Sequence, residues 1–129
     1  MKPTQIPFEL LGGETGVRSL VDAFYDRMEF EPEFATIRKL HPITLDESRN
    51  KLFWFLCGWL GGPNLYTERF GHPRLRARHL PFAIGTVERD QWMACMKLAL
   101  ADHKVEEYLS VWLLSQLFGT ADWMRNRPD

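Results

Sequence analysis

Residues 71–82 read GHPRLRARHLPF: His72 precedes a proline, and Arg74, Arg76, Arg78 and His79 lie between Pro73 and Pro81. Three chemistries suit such a segment: a basic strip for a nucleic acid, a histidine pair for a metal, or a shelf beneath an anionic cofactor. An imidazole such as that of His79 can serve as an axial ligand to haem iron if it faces a flat apolar slot. Its other ring nitrogen must then be bonded to backbone or carboxylate. Arginines beside it would meet the haem propionates, where charge-assisted hydrogen bonds are shorter and stronger than neutral ones. The plainer reading is a surface or core histidine with no ligand role, and its company elsewhere in the chain has to separate these.

Zinc has candidate ligands in His41, His72, His79 and Cys57, but their spacing does not form a compact structural site, and Cys57 and Cys95 are far apart in sequence. Nucleic acid would use Arg74, Arg76 and Arg78 on phosphates. Yet 16 Lys and Arg against 17 Asp and Glu give a net charge of -1, without the broad basic footprint such proteins carry. Tyr25 and Trp92 each sit on or beside the apolar face of a helix and carry a polar tip that needs a partner when buried. By default both are packing residues. Read together with His79, they would line the opposite side of a pocket and donate hydrogen bonds to a ligand bearing partial negative charge. Five Trp and nine Phe in 129 residues could supply the walls for something large and flat.

The elements that must position these residues all read as helices. Val17, Leu20, Val21, Phe24 and Met28 form an amphipathic stripe within residues 14–29, with Tyr25 on its flank. Residues 32–40 open with a proline suited to a first turn, and the pair His41-Pro42 ends that helix because a residue before proline avoids the α region. Thr44 and Glu47 have the spacing of a capping box, predicting a helix to about residue 60 whose apolar half, LFWFLCGWL, is buried on more than one side. Pro73 starts a short helix that ends by Pro81. Thr86 caps a longer one bearing Trp92, Met96 and Ala99, and Val105, Tyr108, Leu109, Trp112, Leu113 and Leu117 have helical spacing up to Gly119.

No strand-like alternation, repeat or low-complexity segment interrupts this pattern, so the expected fold is all-α, one domain over 1–129 with an N-terminal extension at 1–11 and a frayed end at 124–129. Cys57 and Cys95 lie in apolar helical patterns and read as buried thiols in a reducing cytoplasm. The start MKPTQIPFEL has no signal-peptide run, and no stretch approaches the ~20 apolar residues of a membrane span.

Four segments, GGETGVRSLVDAFYDRM, KLHP, SRNKLFWFLCGWLGGPNLYTERFGHPRLRARHLPF and ERDQWMACM, together resemble the group II truncated haemoglobins found in bacteria over most of residues 12–96. The resemblance implies a two-over-two helical sandwich of globin type holding haem b, iron protoporphyrin IX. It makes His79 the proximal iron ligand, Tyr25 the distal tyrosine, Trp92 the tryptophan that marks the branch, and His41 a corner residue touching bound ligand. Ser48 falls where larger globins keep a distal histidine, and Leu52 packs over the iron one turn later. Phe55, Phe70, Leu75, Phe82 and Met96 become walls. Lys51, Tyr66, Arg76 and Arg78 become candidates for the propionates, Lys51 and Arg78 ranking first by their spacing from Ser48 and His79.

The function this implies is binding of dioxygen and other small diatomic ligands, with Tyr25, Trp92 and His41 donating hydrogen bonds. The alternative is a peroxidase-like or reactive-nitrogen-consuming enzyme, whose donors would stabilise charge as a bond breaks. A third reading is a gas or redox sensor working through a partner. The chain has no G-x-G-x-x-G motif for a flavin or nicotinamide, so turnover needs an external reductase. No nucleic acid and no membrane insertion are expected, and the protein is read as a monomer or homodimer.

Overall fold

The apolar stripes predicted from helical spacing become buried seams in the computed structural model, which describes residues 5–128. Their order is α1 (Pro7–Leu10), α2 (Gly13–Phe30), a 3-10 turn (Pro32–Phe34) running into α3 (Ala35–Arg38), α4 (Asp46–Trp59), α5 (Leu65–Phe70), α6 (Leu75–His79), α7 (Thr86–Asp102) and α8 (Glu107–Trp123). Among the described residues no strand is present, and no helix is long and apolar enough to cross a membrane. Helices α2 and α4 form one layer and α7 and α8 the other, with α2 packed most extensively on α7, the two-over-two sandwich. The small helix α5 packs on α4, and the short α6, which ends at His79, follows it in the chain.

All five stripe residues of α2 lie in the core, Val17 and Val21 fully so, against Cys95, Met96, Ala99 and Leu100 of α7. Burying side chains of this size contributes roughly 1.5–3 kcal/mol each. The apolar half of α4 divides as expected, with Phe53, Leu56, Cys57 and Leu60 buried and Leu52, Trp54, Phe55 and Trp59 half-buried. Arg27 fastens α2 to the end of α7 with a bidentate pair to the Asp102 carboxylate at 2.7 and 2.8 Å.

Several element boundaries correct the sequence reading. Helix α4 begins at Asp46 with Leu45 as its N-cap and no side-chain cap, because burial of Leu45 sets the entry of the chain rather than a capping Thr44. Helix α7 is entered through Gly85, whose N–H donates to the Glu88 carboxylate at 2.7 Å, so Thr86 is its first residue and not its cap. Helix α6 starts at Leu75, after Arg74 in the left-handed region. Helix α8 passes through Gly119 to Trp123. Residues 124–127, expected to fray, are held: Met124 is buried, and Asn126 and Arg127 donate from their backbone N–H groups to the Ile84 carbonyl.

The start of the described chain is tied down too, since the Phe8 N–H donates to the Leu60 carbonyl at 3.0 Å; the remainder of the expected extension, residues 1–4, lies outside the described residues. Gly12 and Gly13 turn the chain into α2 with φ of 101° and 67°, values that L side chains rarely adopt. Gly16 has a different reason to be glycine: a Cβ there would lie 1.7 Å from the Leu11 carbonyl oxygen. That carbonyl also accepts from His103 Nε2 at 3.1 Å, so it has little freedom to move. Gly16→Ala is expected to destabilise the fold by about 3 kcal/mol, at the upper end of overpacking costs, read as a fall in the urea midpoint.

Candidate functional site

His79 is the last residue of α6, and its Nδ1–H donates to the Leu75 carbonyl at 2.6 Å. A carbonyl can only accept, so the proton is on Nδ1 and the Nε2 lone pair is left for a Lewis acid. The turn after His79 is fixed from a distance. The Asn126 amide donates to the carbonyls of His79 at 3.2 Å and Phe82 at 2.8 Å, while its Oδ1 accepts from the Ile84 N–H at 3.0 Å. Nothing local marks this residue, because a lone Asn in RNRPD has no pattern and its contacts cross more than forty residues.

Tyr25 faces the same region from α2. It is buried, its ring lies edge-on 5.0 Å from Phe24 and 5.7 Å from His41, and Phe24 in turn lies 5.1 Å from Trp92. Burial pushes the Tyr25 phenol well above its ordinary range, against a smaller lowering by the Arg49 charge, so it stays neutral and keeps a proton to donate. Its hydroxyl makes no hydrogen bond to any described residue. Met96 is fully buried on α7, one turn beyond the half-buried Trp92, and the neighbouring Cys95 thiol donates to the Phe24 carbonyl at 3.1 Å.

His41 joins this cluster, but its chemistry differs from the expected one. Its Nδ1–H donates to the Ile37 carbonyl at 2.8 Å. Burial, more than the nearby Arg38 charge, lowers its pKa below the usual imidazole value. In that neutral tautomer Nε2 accepts and cannot donate, which corrects the expectation of a third donor.

The depressed pKa has a consequence for stability. As pH falls below about 6.5 the unfolded chain takes up a proton at His41 before the folded chain does, so stability declines on the acid side until the folded value is passed. A single proton limits this slope to ~1.4 kcal/mol per pH unit. Urea midpoints from pH 7.5 to 5 should therefore fall less steeply in His41→Phe than in the native protein.

The remaining expected residues differ in burial and in their partners. Leu52, Phe55 and Leu75 are half-buried, and Tyr66 is buried with its ring 4.9 Å from Phe70. Phe70 and Phe82 keep 43% and 41% of their surface, apolar faces that a flat guest would cover. Ser48 is half-buried on α4, beside Arg49, which joins α4 to α2 by pairs to Asp22 at 3.1 Å and Asp26 at 2.8 Å. Lys51 pairs with Glu47 at 3.0 Å with its ammonium 5.9 Å from the Phe70 ring, and Arg78 donates to the Pro73 carbonyl with its guanidinium 5.8 Å from the Tyr66 ring. Arg76 is turned elsewhere: it donates to the carbonyls of Trp123 and Arg125 and lies over the Trp123 ring. It is therefore committed to the C-terminal segment rather than to an anionic edge beside Arg78.

Two concavities lie near these elements. One of about 220 Å³ shares Phe55 and Tyr66 with the site, and one of about 400 Å³, between Ile6, Trp59 and Trp112, shares nothing with it. The chemistry follows His79 and Tyr25, not the larger volume.

Comparison with known proteins bears on the family and the fold. The profile of the bacterial-like globins matches residues 7–126. The group 2 truncated hemoglobin YjbI of Bacillus subtilis strain 168 is 41% identical over 123 residues, 95% of this chain and 90% of that protein. The cold-adapted truncated hemoglobin of the Antarctic marine bacterium Pseudoalteromonas haloplanktis TAC125 superposes with a TM-score of 0.93 at 40% identity, covering 96% of this chain and 100% of the other. The truncated oxygen-avid haemoglobin of Bacillus subtilis gives a TM-score of 0.85 at 41% identity, covering 95% and 100%.

Proposed function

This chain belongs to the bacterial-like globins, as a group II truncated haemoglobin, and we propose that it binds haem b through His79 and takes up dioxygen and other diatomic ligands beneath Tyr25 and Trp92. The observation that carries this reading is a pair of complementary polar atoms. His79 Nε2 is left with a lone pair by the Nδ1–Leu75 bond, and the hydroxyl of Tyr25, a residue 5% exposed overall, keeps a proton to donate. A neutral phenol beside a largely apolar aromatic cluster can donate to a ligand that carries partial negative charge.

Haem, which His79 would hold, would supply an iron able to bind a small diatomic ligand reversibly. The protein's part is positioning and polarity. His79 holds the iron, with its ring orientation fixed by the Leu75 carbonyl. Leu52, Phe55, Tyr66, Phe70, Leu75, Phe82 and Met96 form the walls, and Lys51 and Arg78 meet the propionates. Tyr25 donates its O–H and Trp92 its indole N–H to the negative end of a polar ligand. His41, neutral and accepting, packs edge-on against the Tyr25 ring and limits its orientation. Oxygen avidity in the Bacillus subtilis relative supports dioxygen as the ligand here. The reading is tested by titrating haemin into the purified protein: the Soret absorbance should rise to a sharp break at one haem per chain. A rise without a break would mean nonspecific adsorption.

A further inference from the structure

We propose that the arginine strip spanning residues 69–78 is the docking face for an acidic electron-donor protein carrying a flavin or an iron–sulfur centre. The proposal rests on the haem reading above and extends it to the partner that reduces the iron.

The observation behind it is an imbalance in how arginines are paired. Arg27, Arg38, Arg49 and Arg89 each hold a carboxylate within 3.1 Å. Among the described residues, Arg69, Arg74, Arg76 and Arg78 hold none, and no acidic residue lies between positions 69 and 78. Three of them are instead held by backbone carbonyls: Arg69 by Leu65 at 3.1 Å, Arg78 by Pro73 at 2.8 Å, and Arg76 by Arg125 at 2.9 Å. A carbonyl orders a guanidinium without cancelling its charge. Arg69 also lies 4.4 Å from the Trp54 ring centroid, and exposed Arg74 projects from a left-handed residue with φ of 47° at the entry to α6.

Two propionates would engage Lys51 and Arg78, leaving Arg69 and Arg74 as surplus cations on the outer surface. Because the net charge of -1 already includes the strip, the rest of the chain is net acidic. Such a separation orients an anionic partner toward one face and repels it from the others. The same acidity disfavours a polyanion that would have to spread across the molecule. Leu80 and Trp123, exposed by 51% and 64%, provide apolar contact beside the charges, as suits a small transient interface. The strip leads directly into His79 on α6, so a donor seated there is close to the iron ligand.

Each encounter would move one electron. A flavin hydroquinone becomes its semiquinone and releases a proton to water, or a reduced iron–sulfur centre is oxidised by one unit, while ferric haem becomes ferrous.

The test uses ferric holoprotein, flavodoxin hydroquinone as the acidic probe, and Arg69→Glu/Arg74→Glu as the variant. At ~10 mM salt, where the Debye length is ~30 Å, the variant should be reduced roughly ten- to a hundredfold more slowly by flavodoxin. Calorimetry should show weaker flavodoxin binding to the same variant. Reduction by the methyl viologen radical cation should not slow. Equal flavodoxin rates and affinities in the native protein and the variant would overturn the docking assignment while leaving haem binding intact. Arginine-dependent sedimentation with phosphatidylglycerol vesicles or retardation of duplex DNA at ~0.15 M salt, without an effect on flavodoxin, would overturn it in favour of a lipid or nucleic-acid surface. A protein that forms no one-to-one haem complex would overturn the haem reading itself, and the docking assignment with it.

Discussion

Replacing His79 with glycine is expected to lower haem affinity by more than about a hundredfold, beyond the loss caused by removing a supporting contact alone. The protein should be purified largely without a Soret band, and millimolar imidazole should restore one. Rescue is expected because the substitution removes the ring but not the frame around it: Asn126 still donates to the carbonyl of residue 79, and α6 ends at that residue in any case. Free imidazole can then occupy the space the side chain leaves. Unchanged haem content, with an unchanged spectrum after reduction, would remove His79 from the role of iron ligand.

The second large effect is on ligand release. A hydrogen bond to a charged group is worth about 1.5–3 kcal/mol, and each ~1.4 kcal/mol is tenfold in rate. Loss of one good donor should therefore speed oxygen release roughly ten- to a hundredfold. Tyr25→Phe is the cleaner variant, since it keeps the ring contacts with Phe24 and His41 and removes only the hydroxyl. Trp92→Phe also opens volume beside Phe24, where the indole lies 5.1 Å away. Carbon monoxide carries less charge, so its release should change far less in either variant. If both donors serve one ligand atom, the double variant should be non-additive. Equal acceleration for both gases would mean that these side chains act by filling space.

What could be read from the sequence was whatever leaves a local period or a distinctive residue type. The α2 stripe is periodic, and it placed Tyr25 beside a buried seam. His79 stood out by its place on a short helix in a basic segment followed by an apolar LPF. The boundaries failed where tertiary packing outweighed local preference. Buried Leu45 displaced Thr44 as the start of α4, and α8 continued through Gly119 because Met124 still had apolar surface to bury and Asp122 could hold Arg89 and Arg125. Asn126 and the Arg49 bridge to Asp22 and Asp26 were invisible for a related reason: both join positions that only the fold brings together. His41 was found by type, but the direction of its hydrogen bonding depends on the Ile37 carbonyl, which no spacing in the sequence specifies.

Iron ligation by His79 with reversible oxygen binding is tested most directly by the visible absorption spectrum of the chemically reduced holoprotein under argon and again after oxygen is admitted. If His79 is the protein's one iron ligand, the reduced form should show a spectrum of five-coordinate ferrous haem that converts on oxygenation to a stable two-banded form and returns when oxygen is removed. A reduced spectrum already six-coordinate, with both axial positions filled by protein side chains and no change on admission of oxygen, would contradict that assignment.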